Sequence, residues 1–320
     1  MAWPIVKAPA PSICWELARI PRLNPALPWS VFVRRLNYEV SKDNVFGRAA
    51  ELAYFFLFSA FPLLLVLTNL LGMMAEGDRI RGELLRYFMT AMPPNAYILL
   101  SNTLDEVTKG SGGGKLSLAI LMTLAASSSG MVAIIEGLNT AYSIREAREW
   151  WKRRLMATGL TLALALFSIT ALALMLYGAQ FGDFLAQQIG LKPAFQVAWR
   201  LAQWPLMSGF VLLGFSIVYR FAPNVHDQKL HWIVPGSVVA LVVWFLASLG
   251  LRLYLRVYDS YSTTYGSLGA LIVLLIWFYL FGAAILIGGE VNSIIEQAAA
   301  RAGDPEAKLP GEKAPGESGA

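Results

Sequence analysis

The chain has 320 residues, of which 56% are hydrophobic and only 15% are charged. Because an ordinary soluble domain carries about 25% charged residues, this composition predicts that much of the surface faces lipid. The net charge of +5 does not favour nucleic acid as a partner, since the basic residues lie mostly at the edges of apolar segments. A single cysteine, Cys14, excludes an intramolecular disulfide and a thiolate metal cluster.

The amino-terminal segment, residues 1–47, is predicted to be cytoplasmic. Prolines interrupt its first 30 residues, which contain no continuous apolar core, so we expect no cleavable signal peptide. Residues 29–40 read WSVFVRRLNYEV and place apolar side chains at helical spacing, with Arg34 and Arg35 on the other side. This pattern predicts a helix that either lies in the membrane interface or docks on the end of a helical bundle.

Six apolar segments are long enough to cross a hydrocarbon core as helices, which takes roughly 20 residues. These predicted spans are residues 52–74, 116–138, 155–178, 201–221, 232–254 and 266–289. The sequence therefore predicts an all-α fold, a polytopic membrane protein whose six-transmembrane-helix bundle occupies residues 48–298. The tail, residues 299–320, is predicted to be disordered and cytoplasmic because apolar residues are nearly absent from it.

The orientation of the bundle is predicted from the link between the second and third spans. This link reads YSIREAREWWKRR and concentrates basic residues beside two interfacial tryptophans. The residues are Arg145, Arg148, Lys152, Arg153 and Arg154, with Trp150 and Trp151. Since cytoplasmic loops of membrane proteins collect Lys and Arg, we expect this link and both termini to be cytoplasmic.

The connection between the first two spans, residues 75–115, is predicted to form an amphipathic helical hairpin on the outer face. Two apolar stripes at helical spacing are separated by Pro93 and Pro94. Residues 78–109 of this hairpin are a predicted contact surface for envelope proteins. The glycine-rich sequence KGSGGGKL at 109–116 lacks the serine or threonine of a phosphate-binding loop, and we interpret it as a linker.

Ionisable residues at the span edges are the candidate functional site, because charge near hydrocarbon is costly and tends to face the bundle interior. They form either a polar vestibule that binds a substrate or a cation, or only interfacial charges that fix helix depth. The candidate substrate or cation site consists of Glu51, Glu136, Asn139, Arg145, Arg220, Glu290 and Asn292. The histidines His226 and His231 are too few for a metal site, so the sequence predicts no metal. It also offers no candidate cofactor site and no candidate catalytic residue.

A second set of residues is predicted to serve helix packing or gating. The segment AASSSG at 125–130 offers small residues that let another helix approach closely. Prolines within spans can kink their helices and free carbonyl groups. The packing and gating set consists of Pro62, Ser127, Ser128, Gly130, Tyr265, Gly266 and Gly269.

Several stretches together resemble the YihY/BrkB family of bacterial inner-membrane proteins. These are AAELAYFFLFSAFPLLLVL at 49–67, EGLNTAYSIREAREWWKRRL at 136–155, YRFAPN at 219–224, WIVPGSVVA at 232–240 and YSTTYGSLGALIVLLIWFYLFGAAILIGGEVN at 261–292. The matching motif positions are Glu51, Tyr54, Pro62, Glu136, Asn139, Tyr142, Pro223, Tyr265, Gly266, Gly269, Glu290 and Asn292. Members of the family have carried the label ribonuclease BN and the name virulence factor BrkB, and some are linked to envelope lipid handling.

The resemblance implies a multi-pass protein of the bacterial inner, or plasma, membrane. We expect a transporter or an envelope-lipid-handling protein whose partners are membrane lipids. The alternative is a membrane scaffold or assembly factor that holds envelope proteins through the outer hairpin. We expect no enzyme activity, because the clustered carboxylates and histidines typical of nucleases are absent from any soluble portion. The sequence does not determine the oligomeric state.

Overall fold

The computed structural model describes residues 28–73, 113–189, 192–225, 228–257 and 261–304, with isolated positions at 82, 85, 86, 89, 97, 101 and 307. These residues form seven α-helices and no strand, which confirms the all-α prediction for this part of the chain. The helices are α1 (Trp29–Lys42), α2 (Val45–Met73), α3 (Gly113–Ala141), α4 (Trp150–Ile189), α5 (Lys192–Phe221), α6 (Leu230–Val257) and α7 (Tyr261–Arg301).

Four of the helices contain described segments that are long and apolar enough to cross a membrane. They are Leu121–Ala141 in α3, Trp150–Ala171 in α4, Leu230–Arg256 in α6 and Leu271–Arg301 in α7. A shorter apolar segment, Pro205–Phe221, lies in α5. The predicted spans all fall on helices α2 to α7, apart from position 74, which lies outside the described residues. The structure thus shows four candidate spans, and the count of six stays a prediction.

Helices α2 to α7 pack as a closed ring. Each of these helices contacts the next one along the chain. Helices α2 and α3 also pack together, although the long 74–112 connection separates them in sequence. The ring closes because α7 returns to pack against α2, and α7 also contacts α3. With α1 included, α7 packs against four helices, α1, α2, α3 and α6, and is the centre of the packing.

The best-packed part of the bundle lies toward one end, where three connections meet. We call it the polar end. It consists of the α1–α2 turn, residues 142–149, residues 222–225 and 228–229, and the last turns of α7. Two residues in the left-handed conformation shape its turns, Asn44 (φ 50°) after α1 and Ser143 (φ 55°) after α3. Asn tolerates this conformation better than most residues, which explains Asn44 at the end of α1.

Helix α1 docks on the polar end. Its Val40 is buried, and the Arg35 Nη2 donates a hydrogen bond of 2.6 Å to Gln297 Oε1 near the end of α7. Arg35 was expected on the side away from the bundle, but its long side chain reaches across to α7. Tyr38 is exposed on the face of α1 opposite Val40, and Trp29 is exposed in the first turn. Docking on the bundle is therefore observed, and contact of the exposed face with the membrane interface stays a prediction.

Two predicted segments fall largely outside the described residues. The outer hairpin, residues 78–109, is described only at isolated positions, so its fold stays a prediction. Helix α7 continues to Arg301 and so includes the first three residues of the predicted tail, 299–301, and Gly303 follows in the left-handed conformation at φ 88°. Most of the remaining tail lies outside the described residues.

The closest approach between α6 and α7 requires glycine. A Cβ at Gly236 would collide with the carbonyl oxygen of Gly288 and with the amide of Asn292. A Cβ at Gly288 would lie 2.6 Å from the carbonyl oxygen of Gly236 and 2.9 Å from Ala240 Cβ. The backbones of the two helices therefore touch, as small residues permit in membrane proteins.

We expect Gly236→Ala to lower the melting temperature of the detergent-solubilised protein, because the added methyl group forces α6 away from α7. A loss of about 2 kcal/mol in the free energy of unfolding is typical when an extra methyl group is forced into a well-packed contact. Gly250→Ala is the matched control on the same helix, since nothing lies within 4 Å of a Cβ at this position. Equal melting temperatures for the two variants would contradict the close backbone contact.

Candidate functional site

The last turns of α7 carry polar residues that are almost completely buried. Their relative exposures are at most 8%, although the preceding part of the helix is apolar. The residues are Glu290, Asn292, Ser293, Glu296 and Gln297. Polar and ionisable groups are rare inside membrane proteins, and when present they face the bundle interior and mark functional positions. The sequence analysis selected two of these five, Glu290 and Asn292.

Asn139, in the last turn of α3, joins two connections of the polar end. Its Oδ1 accepts a 2.7 Å hydrogen bond from the backbone N–H of Asn224, and its Nδ2 donates a 2.8 Å bond to Glu146 Oε2. Arg148 Nε lies 2.7 Å from Glu146 Oε1, and Arg148 Nη2 donates to the Ala222 carbonyl at 3.0 Å. Residues 142–149 and the end of α5 are thereby fastened to α3.

The Glu146 carboxylate is stabilised in its charged form. Burial alone would raise its pKa, but hydrogen bonds from the Arg148 side chain and backbone N–H, together with Asn139, hold the pKa below its usual value. Glu146 therefore stays ionised at neutral pH. Asn139, which the sequence analysis assigned to a substrate site, makes both of its side-chain hydrogen bonds within the protein.

Tyr142 lies at the centre of a second buried group. Its hydroxyl oxygen accepts a 2.9 Å hydrogen bond from Gln228 Nε2, which also lies 3.4 Å from Glu296 Oε2. Burial, followed by the negative charge of Glu296, raises the pKa of Tyr142 well above its usual value, so the hydroxyl keeps its proton. Asn292 borders the same group, and its Oδ1 accepts a 2.6 Å hydrogen bond from the Gly236 N–H.

Asp43 and Glu290 form a carboxyl pair where α1 meets α7. The two side chains lie within hydrogen-bonding reach of each other, and two carboxyl groups form a hydrogen bond only when one of them holds a proton. Lys42 Nζ lies 3.9 Å from Asp43 Oδ1 and 2.7 Å from Glu39 Oε2. Burial raises the pKa of Asp43, and the charge of Lys42 offsets this only in part.

The remaining candidate residues lie apart from these buried groups. Glu51 is exposed on α2, whereas Glu136 is half-buried and pairs with Arg153 Nη1 at 2.6 Å. Arg145 and Arg220 are exposed, and Arg220 lies 5.7 Å from the ring of Phe221. The three selected carboxylates therefore have different surroundings, and only Glu290 belongs to the buried polar end.

The predicted packing residues are partly described. Gly130 is buried, and a Cβ there would lie 3.3 Å from Phe55 Cβ on α2, so the small residue permits close contact of α2 with α3. Ser128 is buried with its hydroxyl donating to the Ala125 carbonyl at 3.1 Å, and Ser127 is half-buried. Gly269 is buried in α7. Pro62, Tyr265 and Gly266 lie in helices, but their side-chain surroundings fall outside the description.

Several members of the buried groups were missed by the sequence analysis. They are Asp43, Glu146, Asn224, Gln228 and Glu296. Glu296 had a signal, because polar residues at 293, 296 and 297 continue the face of Asn292 at helical spacing beyond the predicted span. The loop residues had none, since only the folded chain brings them to α7. In the described part of the chain, no group of three or more His, Cys, Asp or Glu residues is arranged to hold a metal ion.

Comparison with known proteins places this fold and polar end in a family. The model of the family described as virulence factor BrkB matches residues 36–311. The chain belongs to the BrkB family. The match covers both buried groups and all the candidate site residues, so the site described here lies within the family's shared region.

Two kinds of relative are similar to this BrkB-family chain. YfkH of Bacillus subtilis, whose name describes it as ribonuclease-like, is 34% identical over 252 residues, covering 78% of this chain and 90% of YfkH. A UPF0761 membrane protein of Stenotrophomonas maltophilia is 29% identical over 290 residues, or 87% of this chain and 63% of that protein. A UPF0761 membrane protein of Xanthomonas oryzae is 28% identical over 259 residues, and the match spans 57% of its length.

These relatives and the four apolar helices show that the protein is a membrane protein. The chain spans about six tenths of the UPF0761 relatives it matches. No solved structure matches the chain.

We expect Asp43→Asn to increase the free energy of unfolding at pH 8 by about 1 kcal/mol and so to raise the melting temperature. The introduced amide donates a hydrogen bond to Glu290 without needing an added proton. A carboxyl group whose pKa is raised by folding destabilises the fold when ionised. The contribution of Asp43 to the free energy of unfolding therefore becomes more favourable as the pH falls through the raised pKa. It levels off once the pH is below the ordinary pKa of an aspartate.

The measurement is the melting temperature of both proteins between pH 8 and pH 5, where Glu146 stays ionised and does not contribute to the slope. Wild type should gain stability on acidification, and the variant should gain less. Glu149→Gln is the matched control because this carboxylate is exposed and pairs with Lys152 at 3.2 Å. Identical pH profiles for wild type and Asp43→Asn would contradict the shared proton.

We expect Asn139→Asp to destabilise the polar end by about 1–3 kcal/mol at neutral pH. The substitution keeps the acceptor for the Asn224 N–H, but it replaces the donor to Glu146 with a second negative charge. Thermal unfolding followed by circular dichroism measures the loss. Thr140→Val is the control, since it removes only a 2.9 Å bond within α3 to the Glu136 carbonyl. A loss no larger than that of the control would show that Asn139 does not fasten the connections.

Proposed function

We propose that this protein is a transporter or an envelope-lipid-handling protein, and that its polar end receives the charged group of the cargo. The observation that carries the proposal is the set of buried polar residues on α7 from Glu290 to Gln297. A helix that only packed against its neighbours would be served by apolar side chains, which cost no desolvation. Burying two carboxyl groups on one helix favours a functional role.

Incomplete hydrogen bonding at the polar end supports binding of a polar group. Asn224 Nδ2, Gln228 Oε1 and Asn292 Nδ2 are buried without a hydrogen-bond partner in the described part of the chain. Each such atom costs about 1–3 kcal/mol unless water or a ligand meets it. The acceptor of Gln228 and the donor of Asn292 beside Tyr142, and the donor of Asn224 beside Asn139, thus provide contacts for a headgroup or for the water that accompanies it.

The carboxyl pair supports a role for a coupling cation. Asp43 and Glu290 share one proton at the junction of α1 and α7, and Glu39, Lys42 and Arg48 are the other charged groups that act on Asp43. A site that already holds a proton can release it when a positively charged cargo or ion approaches. Intramembrane carboxylates of transporters commonly carry out this exchange.

The proposal assigns no enzymatic reaction to the protein, although one relative is named ribonuclease-like. His231 is exposed and contacts Trp232, with ring centroids 4.5 Å apart. RNA cleavage by the purified protein that disappeared in His231→Ala would contradict this assignment. A scaffold role through residues 78–109 stays the alternative, and deleting this segment while the bundle still folds would test it.

We expect the protein reconstituted in liposomes to move a fluorescent anionic phospholipid between leaflets, measured by dithionite quenching of the label. Glu290→Gln should slow this movement by about tenfold, because the buried carboxyl group can no longer exchange its proton. Glu51→Gln is the matched control, since Glu51 is a carboxylate on an exposed face of α2. The melting temperature of each variant separates a transport defect from unfolding.

Two results would count against the proposal. Liposomes in which the wild-type protein moves neither lipid nor solute would exclude transport. A Glu290→Gln protein that is as active as wild type would exclude a role for the carboxyl pair, even if movement occurs.

A further inference from the structure

Arg154, at the start of α4, makes contacts that differ from those of the neighbouring basic residues. Its Nη1 donates a 3.0 Å hydrogen bond to Ser129 Oγ, and its Nη2 donates a 2.9 Å bond to the Ala125 carbonyl. Both acceptors belong to α3 and both are neutral. Arg154 therefore lies across the groove between α3 and α4 without a carboxylate partner in the described part of the chain.

The adjacent arginine shows how unusual this is. Arg153, also on α4, has its Nη1 2.6 Å from Oε1 of Glu136 on α3, so the charge of Arg153 is neutralised. Ser129 and Ala125 precede Glu136 by seven and eleven residues, which is about 10 and 16 Å along the axis at 1.5 Å per residue. The Arg154 guanidinium thus points away from the polar end, along the apolar part of α3.

The surroundings of this guanidinium are exposed and apolar. On α3, Leu121 and Met122 are 65% and 50% exposed and lie one turn from Ala125. On α4, Leu155 is 67% exposed, and Leu162 and Leu166 continue its face. A surface this apolar, on two helices that are candidate membrane spans, faces lipid chains rather than water.

We propose that the groove between α3 and α4 is a binding site for one anionic phospholipid, whose phosphate binds Arg154 and whose acyl chains lie along the exposed leucines of α4. A guanidinium binds phosphate through two parallel N–H donors, and the negative phosphate supplies the counter-charge that the described residues do not provide. Bonds to phosphate would replace or share the two bonds that Arg154 now makes to Ser129 and Ala125.

A lipid fits this groove better than a free phosphate ion. The exposed indole of Trp150 marks the interface at the start of α4, and Trp151 lies beside it. Below them, the apolar faces of both helices offer contacts to acyl chains but none to a small anion. The inference concerns lipid binding alone and does not depend on transport, so it can fail while the proposed function holds.

The test compares lipid binding by native mass spectrometry of the full-length protein in detergent. Phosphatidylglycerol and phosphatidylcholine with the same acyl chains are titrated separately, and glycerol phosphate serves as the soluble competitor. We expect wild type to prefer phosphatidylglycerol, Arg154→Gln to lose about tenfold of that preference, and Arg154→Lys to keep part of it. Glycerol phosphate should not displace the bound lipid.

Two further variants keep the test decisive. Lys152→Gln removes a positive charge two residues away, from a side chain that already pairs with Glu149 and contacts the ring of Trp151, and it should bind like wild type. Ala125→Leu keeps every charge but fills the exposed groove beside the guanidinium, and it should weaken binding.

Three outcomes would overturn the proposal. These are a wild-type protein without preference for phosphatidylglycerol, an unchanged preference in both Arg154→Gln and Ala125→Leu, and an equal loss in Lys152→Gln. Displacement by glycerol phosphate would show a site for a free phosphate group instead of a lipid.

Discussion

The last turns of α7 hold the polar end together, because buried side chains on this helix bond to most of the segments that meet there. Gln297 accepts a hydrogen bond from α1, Glu290 shares one with the α1–α2 turn, and Asn292 accepts one from the backbone of α6. Glu296 is reached by Gln228 of the connection before α6. A polar side chain buried among apolar helices is stable only where such partners exist, so these bonds dictate how the connections fold.

The polar end combines two kinds of buried polar group. Around Asn139, the bonds to Glu146 and Asn224 account for both ends of the Asn139 amide, and Asn224 Nδ2 is the one buried side-chain atom there without a partner among the described residues. Around Tyr142, the amide groups of Gln228 and Asn292 each keep one atom without a partner. The first arrangement rigidifies the connections, and the second leaves free hydrogen-bonding capacity in a rigid frame. A binding site requires both properties.

The sequence predicts the helices well because the length of an apolar segment and the spacing of its residues are local properties. Each predicted span lies on a helix, and residues 29–40 form α1 as their apolar spacing indicates. The partners of buried polar residues are not local. Arg35 and Gln297 are 262 residues apart in the chain, and no periodicity relates them. Asp43 likewise meets Glu290 only after α1 has folded back onto α7.

The same limit explains the mixed outcome for the candidate site. An ionisable residue at the edge of a span is easily recognised, but the direction of its side chain depends on the rotation of the helix. Glu290 faces inward and becomes buried, whereas Glu51 faces outward and remains exposed. A rotation of one residue position, about 100°, is enough to exchange these environments. Composition and spacing locate the charged level of the bundle, and only packing selects the residues that act together.

Three charges near the membrane are stabilised in three different ways, and the differences matter for function. The charge of Glu136 is neutralised by Arg153, so this pair is stable and needs no ligand. In the pair Asp43 and Glu290, a proton on one carboxyl group relieves the like-charge repulsion, so the charge of the pair depends on pH. The described partners of the Arg154 guanidinium are two neutral oxygens. An anion gains the most electrostatic energy beside a positive charge that has no carboxylate partner. An anionic lipid is therefore attracted more strongly to Arg154, in the groove between α3 and α4, than to the paired Arg153.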